Sequence, residues 1–293
     1  MFLVLLCGGA ALAQTTTAPS ADAPASKIKT VDGPADITLG TSQGHLNLPA
    51  GFKFVNKTDA EELLRSSGDP VSEGVLGLVS DGTEGLEWFA LLRYVECGYI
   101  RDDEADKMDA GELLRSIKEN TDRDNEGRRK QGGKGMEIIG WYKPPVYDRA
   151  THALSWSITA HDEGSTSQII NCTLLMLGRY GLMSCTVVGD QKDAAALQQK
   201  LDQMAVAINF PSGRDYASWR NGDKVAEVTM AGLVTGGAAA AAYGAAKVGL
   251  LGKLGNMFLI VVLALKKAFI LVIAAIAGGV RWLKAKMSGR SNS

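Results

Sequence analysis

Beyond Glu227 the chain has no acidic residue, while eight basic ones follow it: Lys247, Lys253, Lys266, Lys267, Arg281, Lys284, Lys286 and Arg290. The formal net charge of -1 is therefore an average over two unlike parts, an acidic one up to Glu227 and a purely basic one after it. Cysteine is scarce, with four in 293 residues, and only Cys97, Cys172 and Cys185 lie beyond the first ten. So few thiols exclude a disulfide framework. Simple pairing of the hairpin around Arg179-Tyr180 sets Cys172 and Cys185 diagonal to each other, so free thiols are expected. Histidine is scarcer still, with His45, His152 and His161 alone. No His-x₃-His or Cys-x₂-Cys spacing occurs, which argues against a structural zinc site. A serine nucleophile is not expected either, because three histidines among scattered Ser and Asp make no pattern. Gly132-Gly133-Lys134-Gly135 precedes a strand, whereas phosphate cradles lead into a helix. No cofactor is expected.

What the chain does have is apolar length in its basic part. Residues 228–246 form a run of 19 without a charge, which as a helix crosses roughly 28 Å of hydrocarbon. Nucleic acid is excluded as the partner of this basic region, since a DNA-binding tail has no use for such runs. Within it Gly232, Gly236, Ala240 and Gly244 recur every four residues, a small-residue ridge along which membrane helices approach closely. Self-association through that ridge is expected. The later run is interrupted by Lys266-Lys267, and a charge at the bilayer centre costs about 2.5–3.5 kcal/mol. The pair is therefore placed at an interface, between an amphipathic or half-inserted helix at 254–265 and a second span at 268–283. Arg281, Trp282 and Lys284 read as an interfacial anchor, with 284–293 a basic tail. The lipid bilayer is the expected partner and the bacterial inner (cytoplasmic) membrane the expected location; one crossing and two remain open.

The opening residues read as an export signal at 1–13, with an apolar core and Ala11-Leu12-Ala13 as cleavage site, although no Lys or Arg precedes it. Residues 14–32 are Thr, Ala, Pro and Ser in large part and read as a flexible tether. An extracytoplasmic domain is expected over 33–225. Apolar patterning predicts strands at 36–39, 45–48, 75–80, 87–96, 135–142, 153–160, 168–177 and 182–188. Pro144-Pro145 with Asp148-Arg149 predicts a turn between two of them. Helices are predicted at 58–66, from Asp102 or Asp103 onward, and from Asp190 onward. The predicted fold class is α+β, a mainly antiparallel sheet with three helices, followed by C-terminal transmembrane or amphipathic helices.

Asp102, Asp103 and Asp106 are the best candidates for a metal, because oxygen-rich clusters suit Ca²⁺ or Mg²⁺. Carboxylates at a helix start are also expected for dipole reasons alone, and this cluster lacks the alternate spacing of a calcium loop. Trp88, Trp141, Tyr142, Tyr147, Trp156, Tyr216 and Trp219 are expected in the core, with some lining a groove for a protein or glycan. The leading reading is a non-enzymatic envelope protein, a binding or scaffold module tied to the membrane. Two others stand beside it: a metal-dependent envelope hydrolase using the Asp102 cluster with a nearby histidine, and an accessory protein whose helices act in membrane transport or stress.

Several stretches together resemble the bacterial membrane-anchored proteins grouped under domain of unknown function 2167. They are Gly33-Pro34-Ala35, Leu48-Pro49-Ala50-Gly51-Phe52, and the segment from Gly98-Tyr99-Ile100-Arg101 through Asp106. Further along come Gly140-Trp141, Pro145-x-Tyr147-Asp148, Leu154-x-Trp156 and Leu177-Gly178-Arg179-Tyr180-Gly181. Phe210-x-x-Gly213-x-x-Tyr216 and Asp223-Lys224, leading into Gly232-Leu233-Val234, complete the series. The resemblance covers about 33–280 and implies an exported domain with a C-terminal anchor. It implies no activity, cofactor or catalytic residue.

Overall fold

The computed structural model describes residues 28–66, 73–82, 87–130 and 133–236. Eleven strands are present among them: β1 (Thr30–Asp32), β2 (Ala35–Leu39), β3 (Gly44–Leu48), β4 (Lys53–Asn56), β5 (Val75–Ser80), β6 (Trp88–Val95), β7 (Met136–Asp148), β8 (Ala153–Asp162), β9 (Ile169–Leu177), β10 (Leu182–Asp190) and β11 (Ile208–Asn209). Four α-helices accompany them: α1 (Lys57–Ser66), α2 (Ala110–Lys130), α3 (Ala194–Ala207) and α4 (Met230–Thr235). Eight strands form one sheet in the order β1-β4-β5-β6-β10-β9-β8-β7, and β11-β3-β2 form a second, smaller one. All pairings between strands are antiparallel, so the α+β expectation holds.

The middle strands β6, β10 and β9 are buried along nearly their whole length, on both faces. A sheet covered on both sides needs apolar residues at odd and even positions alike, hence their near-continuous apolar runs. One face packs Leu91, Trp156, Leu175 and Val188 with Leu63 and Leu64 of α1, Leu113 and Ile117 of α2, and Met230 and Leu233 of α4. The other packs Leu92, Cys172, Leu174 and Val187 with Leu197, Leu201 and Met204 of α3 and Leu46 of the small sheet. Cys172 lies opposite Val187 and Cys185 opposite Leu174, the diagonal placement expected. Cys97, Cys172 and Cys185 are free and buried, and burial pushes the Cys97 and Cys172 thiols up to about 11.

Five elements depart from expectation, each for a local reason. The chain turns after Asp148 as expected, but Pro144 and Pro145 lie inside β7; β7 is an edge strand whose register with β8 shifts between Lys143 and Val146, where missing N–H groups cost no ladder bond. The second helix starts at Ala110, because Asp109 Oδ1 accepts from Glu112 N–H at 2.8 Å and caps it there. The third starts at Ala194, after a 3₁₀ turn at Gln191–Asp193. Thr30–Asp32, expected within the tether, is an edge strand paired with β4. At the other end, the first residues of the run expected as one helix, 228–236, fold into the domain. Thr229 Oγ1 accepts from Gly232 N–H at 3.0 Å, Met230, Leu233 and Val234 are buried in the core, and Gly236 closes α4 with a left-handed φ of 75°. Of the expected ridge, Gly232 lies in the first turn of α4 beneath the Thr229 cap and Gly236 ends that helix. Ala240, Gly244, Lys266, Lys267, Arg281, Trp282 and Lys284 lie outside the described residues, as does the signal. No helix among the described residues is long and apolar enough to cross a membrane.

The start of β7 is tied to α2 by one side chain. Asn125 is 1% exposed; its Oδ1 accepts from Met136 N–H and its Nδ2 donates to Met136 O, both at 2.8 Å. This amide stands where a neighbouring strand would satisfy the edge. By contrast the buried hydroxyl of Ser184 has no hydrogen-bond partner among the described residues. Asn125→Ala leaves two buried backbone groups unsatisfied, so urea unfolding is expected to show a loss of about 2–4 kcal/mol. Ser184→Ala is expected to be neutral or slightly stabilising in the same measurement. Equal losses for the two variants would reject this account of the edge.

Candidate functional site

Beyond Val95 the chain leaves β6 and is clasped by the segment that precedes α4. Tyr99 N–H donates to Lys224 O and Ala226 N–H donates to Tyr99 O, each at 2.8 Å, making a short parallel bridge between Tyr99 and Val225. Gly98 adopts a φ of 100°, and a Cβ there would sit 2.7 Å from Lys224 O, so only glycine permits the clasp. The β9–β10 turn supports it from beside, with Gly98 N–H donating to Tyr180 O at 3.0 Å. Arg179 of that turn grips Asp223 with Nε and Nη2 at 2.7 and 2.9 Å, a bidentate pair of largely covered side chains. Arg220 N–H donates to the same carboxylate at 2.7 Å.

On this frame four rings form a column. Trp219 lies 5.3 Å from Tyr99, Tyr99 stacks on Tyr216 at 4.4 Å, and Tyr216 stacks on His152 at 4.1 Å between centroids. Tyr216 Oη donates to Ile100 O at 2.9 Å. Trp219 forms the open end at 38% exposure, while Tyr216 is buried. His152 ends the β7–β8 hairpin with a left-handed φ of 51°, a conformation that turns its ring onto the column.

Asp102 closes the far end. Tyr147 Oη donates to its Oδ2 at 2.8 Å and lies 3.1 Å from His152 Nδ1. With the phenol proton committed to the carboxylate, this contact places the imidazole proton on Nδ1. Arg149 Nη1 stands 3.7 Å from Asp102, and its other Nη pairs with Asp106. Burial alone would raise the Asp102 carboxyl, but the Tyr147 and Tyr216 phenols and the Arg149 charge outweigh it and hold it below the usual Asp range. Burial, then the neighbouring carboxylate, pushes the Tyr147 phenol upward. Burial and the Tyr99 phenol do the same to Tyr216.

Of the three acids predicted together, Asp102 faces inward, Asp103 is exposed, and Asp106 is exposed and joined to Asp102 only through Arg149. No group of three or more His, Cys, Asp and Glu among the described residues is arranged to hold a metal ion. His161 is elsewhere, with Nε2 3.3 Å from Glu137. The pairing of Asp102 with Tyr147 and His152 was not foreseen, since 45 and 50 residues separate them and no periodicity signals it. Gly40-Thr41-Ser42-Gln43-Gly44 has the spacing of a hydrolase nucleophile elbow. It joins β2 to β3, strand to strand, where an elbow leads from strand to helix. The Ser42 hydroxyl has no histidine partner among the described residues.

The segments that meet in this junction are those on which the family resemblance was drawn: Gly98–Asp106, Tyr147-Asp148, Gly178–Gly181, Tyr216 and Asp223-Lys224. The sequence model of a family described as "Protein of unknown function (DUF2167)" matches residues 31–277. The chain belongs to the DUF2167 family. No curated protein matches it. Among solved structures, the cyanobacterial PsbP protein (CyanoP) of Synechocystis sp. PCC 6803 is similar at 12% identity and a TM-score of 0.37, over 67% of this chain and 99% of that one. The Saccharomyces cerevisiae Ran-binding protein Mog1p is similar at 9% identity and a TM-score of 0.34, over 66% of this chain and 100% of that one. Likeness at this level carries no argument about activity.

The lowered Asp102 carboxyl makes stability depend on acid in a defined direction. As pH falls the unfolded chain takes up the proton first, near the ordinary Asp value of about 3.9. The contribution is therefore complete above that value and is lost as pH falls through the folded-state one. Thermal melting of Asp102→Asn against wild type is expected to show its largest deficit near neutrality, shrinking towards acid. A deficit independent of pH would exclude the carboxylate as its source.

Proposed function

We infer that the protein is a membrane-anchored bacterial envelope protein whose α+β domain is a non-enzymatic binding module, with the Tyr99 junction as its contact surface. The observation that carries this reading is the closure of the polar network. Asp102 is engaged by Tyr147 and Arg149, Asp223 by Arg179 and a backbone N–H, and the Tyr147 and Tyr216 phenols by acceptors. Groups so occupied are held in fixed positions. What they leave to solvent is Trp219 with exposed Arg220 next to it in the chain, and exposed Arg149 at the Asp102 end. Trp, Tyr and Arg held rigid are the residue types that carry energy at protein interfaces, because little side-chain freedom is lost on contact. A protein surface is accordingly the partner class.

Anchoring has its support in the sequence: the uncharged and basic stretches from 237 onward and the apolar start before Ala11-Leu12-Ala13. These fit a domain on the outer side of the inner membrane.

A photoreactive residue in place of Trp219, introduced in intact cells, is expected to give a discrete adduct of one mass. The same residue in place of Val206, which is 81% exposed on α3, is expected to give none. Membrane pellets washed with alkali should retain the chain. Equal adduct patterns at the two positions would reject the junction as the contact surface, and adducts sensitive to glycan hydrolases would replace protein by glycan. Full-length chain in the supernatant would reject the anchor.

A further inference from the structure

Arg214 and Arg220 serve the junction with their backbones and leave their side chains without a structural task. Arg179 N–H donates to Arg214 O at 2.9 Å, and Arg220 N–H donates to the Asp223 carboxylate at 2.7 Å. Neither guanidinium enters an ion pair among the described residues. The acids of the same segment are already taken. Asp223 is held by the Arg179 fork, and Asp215 accepts from Ser218 Oγ at 2.9 Å. Glu96 is near enough to act on the same Tyr94 phenol as Arg214, without pairing with it. The β9–β10 turn and residues 210–226 therefore carry Arg179, Arg214, Arg220 and Lys224 against Asp215 and Asp223, on a domain that is acidic as a whole.

We propose that Arg214 and Arg220, with Tyr180 and Trp219, form a carboxylate-binding face through which the protein partner is held by an acidic segment of its chain. This rests on the reading of the Tyr99 junction as a contact surface. Contacts join the four residues into one patch. The Arg179 and Arg214 guanidiniums lie 4.8 and 5.5 Å from the centre of the half-buried Tyr180 ring. Arg179 also grips Asp223, to which Arg220 N–H donates, and Trp219 precedes Arg220. A guanidinium resting on an aromatic face keeps the donors at its edge free, and that planar fork matches a carboxylate. The two rings add apolar area beside the charges, which suits an acidic peptide segment better than a bare anion. Because the domain repels acids elsewhere, the local cations also select where such a segment lands.

Full-length protein in micelles of an uncharged detergent, titrated into fluorescently labelled octaglutamate, provides the test. Octaglutamate is expected to bind and octalysine is not. Arg214→Gln and Arg220→Gln are each expected to weaken binding by about tenfold, with melting temperatures unchanged because the clasp uses only their backbones. Lys118→Gln, which removes an exposed cation on α2, is expected to leave binding as it is. In intact cells both arginine substitutions should reduce the adduct at position 219 by a similar factor. No octaglutamate binding, or equal weakening by Lys118→Gln, overturns the face. Displacement of octaglutamate by glycerol phosphate at lower concentration than by glutamate also overturns it, in favour of a phosphate headgroup. A position-219 adduct that survives both arginine substitutions overturns the acidic segment and leaves the junction as contact surface. Absence of that adduct in the otherwise unaltered protein overturns both.

Discussion

The architecture depends on burying β6, β10 and β9 on both faces. Once three central strands are apolar at odd and even positions, neither face tolerates water, and two separate covers are obligatory. α3 with the β11-β3-β2 sheet supplies one. α1, α2 and α4 supply the other, and the last of these comes from the far end of the domain. The chain must therefore return across the sheet after β11, and the segment that makes this return is the one that clasps Tyr99. Core coverage and site construction are the same event in this fold.

The sheet also tolerates a polar stripe that pure hydrophobic reasoning would forbid. Arg93, Ser184, Thr186, Thr173 and Asn171 are all buried on the α2 face, in adjacent positions of β6, β10 and β9. Burial lowers the Arg93 guanidinium to about 10, far enough above neutrality for the charge to persist. Polar side chains in mid-sheet weaken apolar packing but restrict register, since a slip of one residue would move the charge to the opposite core. Asn125 performs a related task at the edge, replacing a missing strand with one amide.

What could be read from sequence divides by range. The strands at 75–80, 153–160 and 168–177 are legible because burial alternation or a continuous apolar run declares them locally. β1, β4 and β11 are not, at three, four and two residues, because so short a strand is fixed by its partner. The Pro144-Pro145 pair misleads for a topological reason: a proline breaks an interior strand and is harmless on an edge, and edge position is not a local property. The acidic cluster misleads differently. Its density suggested a shared cation, whereas Tyr147 and Arg149, distant in sequence, engage Asp102, and Arg149 also pairs with Asp106. Hydropathy, finally, cannot tell a protein core from a bilayer, and the run from Val228 contains residues that satisfy either.

The column from Trp219 to His152 is rigid for reasons that can be traced to unrelated parts of the chain. Tyr99 is held by backbone bonds from 224–226, Tyr216 by Ile100 O, and His152 by a hairpin turn whose left-handed backbone aims its ring. Each ring packs against one contributed by a different segment, so displacing Tyr99 or Tyr216 breaks contacts on two sides. A surface assembled in this way has its conformational entropy removed during folding, before any partner arrives. The acids Asp102 and Asp223 and the Tyr147 and Tyr216 phenols are likewise matched to their partners as the chain folds.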